Sequence, residues 1–191
     1  MNLKKAIWII AAVLIADQVS KIYIKTHFAL HDSVAVFSFF KIYFIENEGM
    51  AWGAKIPGDY GKLALTLFRL VAIVGIGYWL NDALKKKAPN VMIAAISLVF
   101  AGALGNIIDS VFYGILFDHS HGQIASFLPD AGGYGKLLHG KVVDMFSFSF
   151  FNPVFNVADT AISVGVGLLI LWHKKAFPKE EKSVVSDQNK D

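Results

Sequence analysis

Four stretches of this chain, 6–24, 63–84, 91–113 and 155–173, are apolar over enough length to cross a lipid bilayer. About 20 helical residues span the ~30 Å of hydrocarbon. The expected fold is an all-α membrane protein with four transmembrane helices. Composition agrees, because 55% hydrophobic residues and a mean hydropathy of +0.51 are too apolar for an ordinary soluble domain.

Basic residues orient the bundle. Lys4 and Lys5 precede the first stretch, Lys85, Lys86 and Lys87 fill the turn between the second and third, and Lys174 and Lys175 follow the fourth. With four crossings all three clusters fall on one side, which the positive-inside rule makes cytoplasmic. Both termini are then cytoplasmic, and the long connections 25–62 and 114–154 face outward. The net charge of +3 and pI near 9.0 are explained by these topology signals, and no nucleic-acid partner is expected. A cleaved signal peptide is the competing reading of the first stretch; polar residues at its end and the lack of a small-x-small site count against it. Cysteine is absent, which excludes disulfides, thiolate catalysis, Cys-ligated zinc and lipidation of this chain on cysteine.

The outward connections carry more than linker sequence. Residues 34–45, VAVFSFFKIYFI, read as one or two strands, which places a small sheet on the outer membrane surface. Residues 118–140 hold glycines, a proline and three histidines and read as an exposed excursion. The polar tail 178–191 reads as a disordered cytoplasmic segment. The domain expected is therefore 1–177, a four-helix unit with two outward loops.

Polar groups inside apolar spans are costly, so their positions carry information. Asp17 and Lys21 are four apart and share a helix face as an ion pair. That pair orients helix 1, braces a site, or does both. Gly102, Gly105, Asn106 and Asp109 share one side of the third helix, as a packing seam or as part of a site. Asn156 and Asp159 lie three apart at the start of the fourth, and Asp144 comes just before it. Four segments remote in sequence thus send polar groups to one outer level. Two close carboxylates in a poorly solvated place share a proton. Such a pair can hold a water between an acid and a base, as peptide hydrolysis requires. On spacing alone, two aspartates that cap a helix and brace a loop fit equally well. Five phenylalanines between Met145 and Phe155 fit a collar that faces lipid or clasps substrate.

The motifs DQVSK (17–21), NEGMAWG (47–53), GALGNIID (102–109), KVVDMF (141–146) and FNVAD (155–159) resemble, in order, those of the lipoprotein signal peptidase (signal peptidase II) family. The resemblance implies an aspartyl endopeptidase of the bacterial inner (cytoplasmic) membrane, multi-pass, with its site near the outer face. It implies cleavage of diacylglyceryl-modified prolipoproteins just before the lipidated cysteine. By motif, Asp144 and Asp159 are the catalytic pair. Asn156 holds the pair or the substrate, Asn47 and Asn106 contact substrate backbone, Asp109 shares their motif, and Asp17 and Lys21 brace the site. The implied fold has four transmembrane helices with a small extracytoplasmic β-cradle. Membrane lipid and globomycin-type inhibitors are the other implied partners, the expected state is a monomer, and neither metal nor cofactor is implied.

Two departures stand out. The family usually has Arg after GNxID, where this chain has Ser110, and no neighbouring Arg replaces it in sequence. The connection 111–140 is also much longer, which fits an added flap or a docking surface. Three rivals from other classes remain. A proton-coupled transporter would need a polar path to the cytoplasmic side, and Arg69 alone is not one. A Ser20–Lys21 hydrolase would need adjacent helical residues to face each other. A metal site would use His119, His121 and His139 with Asp118 and Asp130.

Overall fold

The computed structural model describes residues 1–48 and 59–177, with Asp59 and Tyr60 described in backbone only. The stretch 49–53 of the NEGMAWG motif and the tail 178–191 lie outside the described residues. The chain runs α1 (Leu3–His27), β1 (Ser33–Phe37), β2 (Phe40–Asn47), α2 (Asp59–Lys85) and α3 (Asn90–Ile108). A π-helical turn (Asp109–Tyr113) and the short α4 (Gly114–Leu116) extend α3. After a long excursion come β3 (Val142–Phe148), β4 (Phe151–Phe155), α5 (Val157–Leu171) and α6 (His173–Ala176).

Among the described residues, three helices are long and apolar enough to cross a membrane: Leu3–His27, Gly61–Lys85 and Asn90–Leu116. The fourth apolar helix, α5, has 15 residues, about 22 Å of rise. It is shorter than the apolar stretch 155–173, because β4 takes Phe155 and Asn156 becomes the N-cap. The outward faces of α1 and α2 expose Ile7, Trp8, Ile15, Phe68, Val71, Val74 and Tyr78. A continuous apolar surface of that kind belongs in lipid rather than water.

Helix α3 is the hub and packs against α1, α2 and α5. Glycine makes this possible at two positions. A Cβ on Gly102 would lie 2.2 Å from the Ala158 carbonyl oxygen, and one on Gly105 would lie 2.6 Å from Asp17 Oδ2. The start of α5 and the polar face of α1 can therefore press directly on the α3 backbone.

One end of the helices carries an antiparallel sheet in the order β1-β2-β3-β4. β1 and β2 arise from the β-branched and aromatic run expected to form strands. β3 and β4 were not expected; they come from the phenylalanine-rich segment. In β3, Val143 and Met145 are buried with Ile24, Phe44, Tyr113 and Phe117 in a core beneath the sheet. The alternate residues Val142 and Asp144 therefore face the other way. A second core, of Ala6, Leu80, Ala83, Ile93 and Ile96, closes the opposite end of the helices.

The excursion is only partly exposed. Its outbound limb covers Phe117 and Ser120, which are fully buried. Its return limb is bonded to the π-helical turn: Gly140 N–H donates to the Ser110 carbonyl and Leu138 N–H to that of Val111, both at 2.9 Å. The wider turn frees carbonyls that a regular helix would occupy, and the returning chain satisfies them. Lys25, fully buried, ties α1 to the same region through Glu46 at 2.5 Å and Ser120 at 2.9 Å.

Candidate active site

Asp144 and Asp159 line one cavity of about 580 Å³, together with Asn47, Arg69, Asn106, Val142 and an apolar wall that includes Phe151, Val154 and Phe155. The size suits a substrate segment rather than a water or an ion.

Asp144 reaches the cavity because β3 alternates. Asn47 on β2 pairs with Val142, so Asn47 and Asp144 are diagonal neighbours on one sheet face. The Asn47 side-chain amide donates to Asp144 Oδ2 at 3.1 Å. The other carboxylate oxygen accepts from Asn156 Nδ2 at 2.7 Å. Burial pushes the Asp144 carboxyl up to about 7, the charge of Asp159 adds to the rise, and the bonds from Asn47 and Asn156 and the charge of Lys21 oppose it.

Asp159 reaches the cavity from the first turn of α5. Asn156 is the N-cap: its side-chain oxygen accepts the Asp159 N–H at 2.9 Å, while Asp159 Oδ2 accepts the Asn156 N–H at 3.3 Å. This is a capping box, so the helix-capping reading of Asp159 is correct as far as it goes. Its other oxygen has a different use, accepting from Asn106 Nδ2 at 2.8 Å.

Asn156 and Asn106 join the two aspartates. Besides Asp144, Asn156 Nδ2 meets Asn106 Oδ1 at 3.1 Å and the Val143 carbonyl at 3.2 Å. Behind Asn106 sits Lys21, fully buried, with Nζ bonded to Asn106 Oδ1 at 2.8 Å, Asp109 at 2.8 Å and Asp17 at 2.9 Å. Three donors meet three acceptors, so the ammonium is saturated. Asp17 Oδ1 accepts the Ala158 N–H at 2.9 Å, which fixes α5, and Asp109 Oδ2 accepts the Val143 N–H at 3.3 Å, which fixes β3. The Asp17–Lys21 pair thus orients α1 and braces the cavity wall together.

All eight residues singled out in the sequence, Asp17, Lys21, Asn47, Asn106, Asp109, Asp144, Asn156 and Asp159, fall in this one network. Four others join it, Gln18 with Tyr113 and Arg69 with Ser110. Gln18 bridges Asp17 and Asp109 with its amide, and its oxygen accepts from Tyr113 at 3.1 Å. Its place inside DQVSK, between two bonded residues, was the available signal. Arg69, on α2, lines the cavity and donates through Nη1 to Ser110 Oγ at 3.2 Å. An Arg in an otherwise lipid-exposed helix was the signal for it, although no spacing tied it to Ser110.

The rival arrangements are not assembled. Ser20 Oγ donates to the Asp17 carbonyl at 2.8 Å while Lys21 Nζ is engaged elsewhere. His119, His121 and His139 do not form a metal-holding group with Asp118 and Asp130.

The sequence and the fold have known counterparts. A family model described as Signal peptidase (SPase) II matches residues 9–174. A lipoprotein signal peptidase of Porphyromonas gingivalis is 41% identical over 187 residues, covering 87% of this chain and 81% of that protein. One of Shewanella sediminis is 35% identical, covering 86% and 80%. Two solved bacterial membrane enzyme structures, obtained by the in meso method, are 31% identical with TM-scores of 0.64 and 0.66. The first covers 94% of each chain, the second 92% of this chain and 96% of its own. The chain belongs to the signal peptidase II family.

Proposed function

We propose that this protein is a membrane aspartyl endopeptidase that removes signal peptides from diacylglyceryl-modified prolipoproteins, cutting just before the lipidated cysteine. The observation that carries the reading is the convergence of Asp144 from β3 and Asp159 from α5 on one cavity, joined by the Asn156 amide. Family membership supplies the substrate class.

In this reading Asp144 holds the proton of the pair, because burial and the neighbouring Asp159 charge both raise its carboxyl. Asp159 takes a proton from a water placed between the two carboxylates. The resulting hydroxide adds to the scissile carbonyl carbon as Asp144 gives its proton to the carbonyl oxygen. The tetrahedral intermediate then collapses: the C–N bond breaks, the amine leaves with the proton Asp159 had taken, and Asp144 regains its own. The side-chain amides of Asn47, Asn106 and Asn156 hold the carboxylates in place while these protons move.

The topology proposed has α5 with α6 completing a fourth crossing, both termini cytoplasmic and the sheet at the outer face of the inner membrane. Residues 1–177 form the enzyme, as a monomer, with 178–191 as a cytoplasmic tail. No metal or cofactor takes part, and globomycin-type inhibitors occupy the same cavity. The test is cleavage of a diacylglyceryl-modified prolipoprotein by the purified chain in detergent, beside the same precursor without its lipid. Cleavage of the modified form alone, before its cysteine, is expected. Equal cleavage of both would remove the lipid from the substrate definition.

A further inference from the structure

We propose that Arg69 is a substrate-binding residue: its guanidinium, supplied by α2 and held to the π-helical turn through Ser110, grips a backbone carbonyl of the bound peptide beside the two carboxylates. This rests on the peptidase reading above and extends it to a residue outside the five motifs.

Among the described residues, the polar side chains lining the cavity besides the aspartates are Asn47, Asn106, Arg69, Thr160 and Ser163. The amides of Asn47 and Asn106 each give one N–H to Asp144 and Asp159, the Thr160 hydroxyl donates to the Asn156 carbonyl, and Ser163 offers a neutral hydroxyl from α5. Carboxylate oxygens repel a carbonyl oxygen, so a peptide lying against them needs a donor from elsewhere. Arg69 is the cationic lining residue, and a guanidinium only donates.

The guanidinium is also oriented. Ser110 is fully buried, and its hydroxyl donates to the Asn106 carbonyl at 2.9 Å, which turns its lone pairs toward Arg69 Nη1 at 3.2 Å. Asn106 in turn holds Asp159. The position of Arg69 is therefore tied through two residues to the carboxylate beside which the peptide must lie. The carboxylates acting on Arg69 electrostatically are Asp159, Asp109 and Asp144; Lys62, two turns earlier on α2, is the like charge nearby and donates to the Glu48 carbonyl at 2.7 Å. The environment of α2 sharpens the point, since Phe68 and Val71 beside Arg69 are exposed to the lipid side. A guanidinium in such a helix is costly unless it faces a polar cavity with a use for it. The Ser110 departure then has a physical sense: a small hydroxyl on the π-helical turn leaves room for, and anchors, an arginine from α2.

The test is binding of a diacylglyceryl-modified prolipoprotein peptide to the full chain in detergent, in an Asp144→Asn background that prevents turnover. Adding Arg69→Gln should weaken binding ~10- to 100-fold, the usual loss for a charge-assisted hydrogen bond. Arg69→Lys should recover little, since an ammonium lacks the planar fork. A purely structural counter-ion would behave otherwise: Lys would bind like Arg. That pattern, or binding by Arg69→Gln within ~2-fold of its parent, overturns the proposal. Cleavage by the unsubstituted chain is measured in parallel. If it cuts nothing while binding depends on Arg69 as described, the peptidase reading falls and the carbonyl grip stands.

Discussion

Asn156 donates its side-chain amide to Asp144 at 2.7 Å while its side-chain oxygen accepts the backbone N–H of Asp159, so one residue sets the positions of both carboxylates. Its two roles are separable. Asp is as good an N-cap as Asn but cannot donate to a carboxylate. Asn156→Asp should therefore keep α5 capped yet lose most cleavage, by ~100-fold or more if the bond orients a reacting group. Asn156→Ala should lose activity and about 1 kcal/mol of stability as well. Thermal unfolding beside kinetics separates these outcomes; an active Asn156→Asp would show that the amide bond to Asp144 is dispensable.

Lys21 is fully buried between Asp17 and Asp109. Removing one partner of a buried ion cluster leaves the others uncompensated, at a cost of ~3–5 kcal/mol. Lys21→Met should fold poorly. Adding Asp17→Asn and Asp109→Asn should restore part of the stability, because the stranded charges go with the lysine. A Lys21→Met variant as stable as its parent would contradict the bracing role.

Asp144 gives a pH signature. Its folded carboxyl is raised to about 7, above the ~4 of an unfolded Asp. The folded state therefore binds more protons between those values, and this group's contribution to stability declines as pH rises from about 4 to about 7. Asp144→Asn removes that decline. The difference in unfolding free energy, variant minus parent, should grow across that window by an amount on the order of a few kcal/mol and level off above it. A difference that is constant with pH would show that Asp144 is not held up by burial.

The seam between α3 and α5 is testable with a matched control. A Cβ at Gly102 on α3 would meet the Ala158 carbonyl oxygen at 2.2 Å, whereas one at Gly167 on α5 meets nothing within 4 Å. Gly102→Ala must push away the turn that carries Asp159, costing ~1–3 kcal/mol and most of the activity. Gly167→Ala should be neutral or slightly stabilising, by up to ~1 kcal/mol. Equal behaviour of the two would remove the close-approach argument.

Much of this was legible in the sequence because membranes make polar residues conspicuous. Asp17, Lys21, Asn106, Asp109, Asn156 and Asp159 stand out in apolar runs, and helical spacing alone puts each group on one face. What stayed hidden depended on backbone placement remote in sequence. The strands β3 and β4 lie in a phenylalanine-rich segment in which polar and apolar residues alternate only over 146–150, and Val142 to Met145 are buried on both faces. The fourth helix looked longer because Phe155 is apolar whether it ends a strand or starts a helix. Arg69 was visible as a charge, but its approach to Ser110 needs the packing of α2 on α3. The return limb of the excursion looked exposed from its glycines, yet Gly140 lies flush on the α3 extension, where a Cβ would sit 2.0 Å from the Asp109 carbonyl oxygen.

The central claim is that Asp144 and Asp159 act together on a peptide bond, and the most direct test is a cleavage assay on Asp144→Asn and Asp159→Asn beside the unsubstituted chain. The precursor would carry the diacylglyceryl group, the products would be identified by mass, and folding of each variant would be verified by thermal unfolding. The account predicts that the unsubstituted chain cuts just before the modified cysteine and that each folded variant loses at least ~1000-fold in rate. A folded variant that cuts at close to the full rate would make that aspartate a brace and contradict the two-carboxylate mechanism.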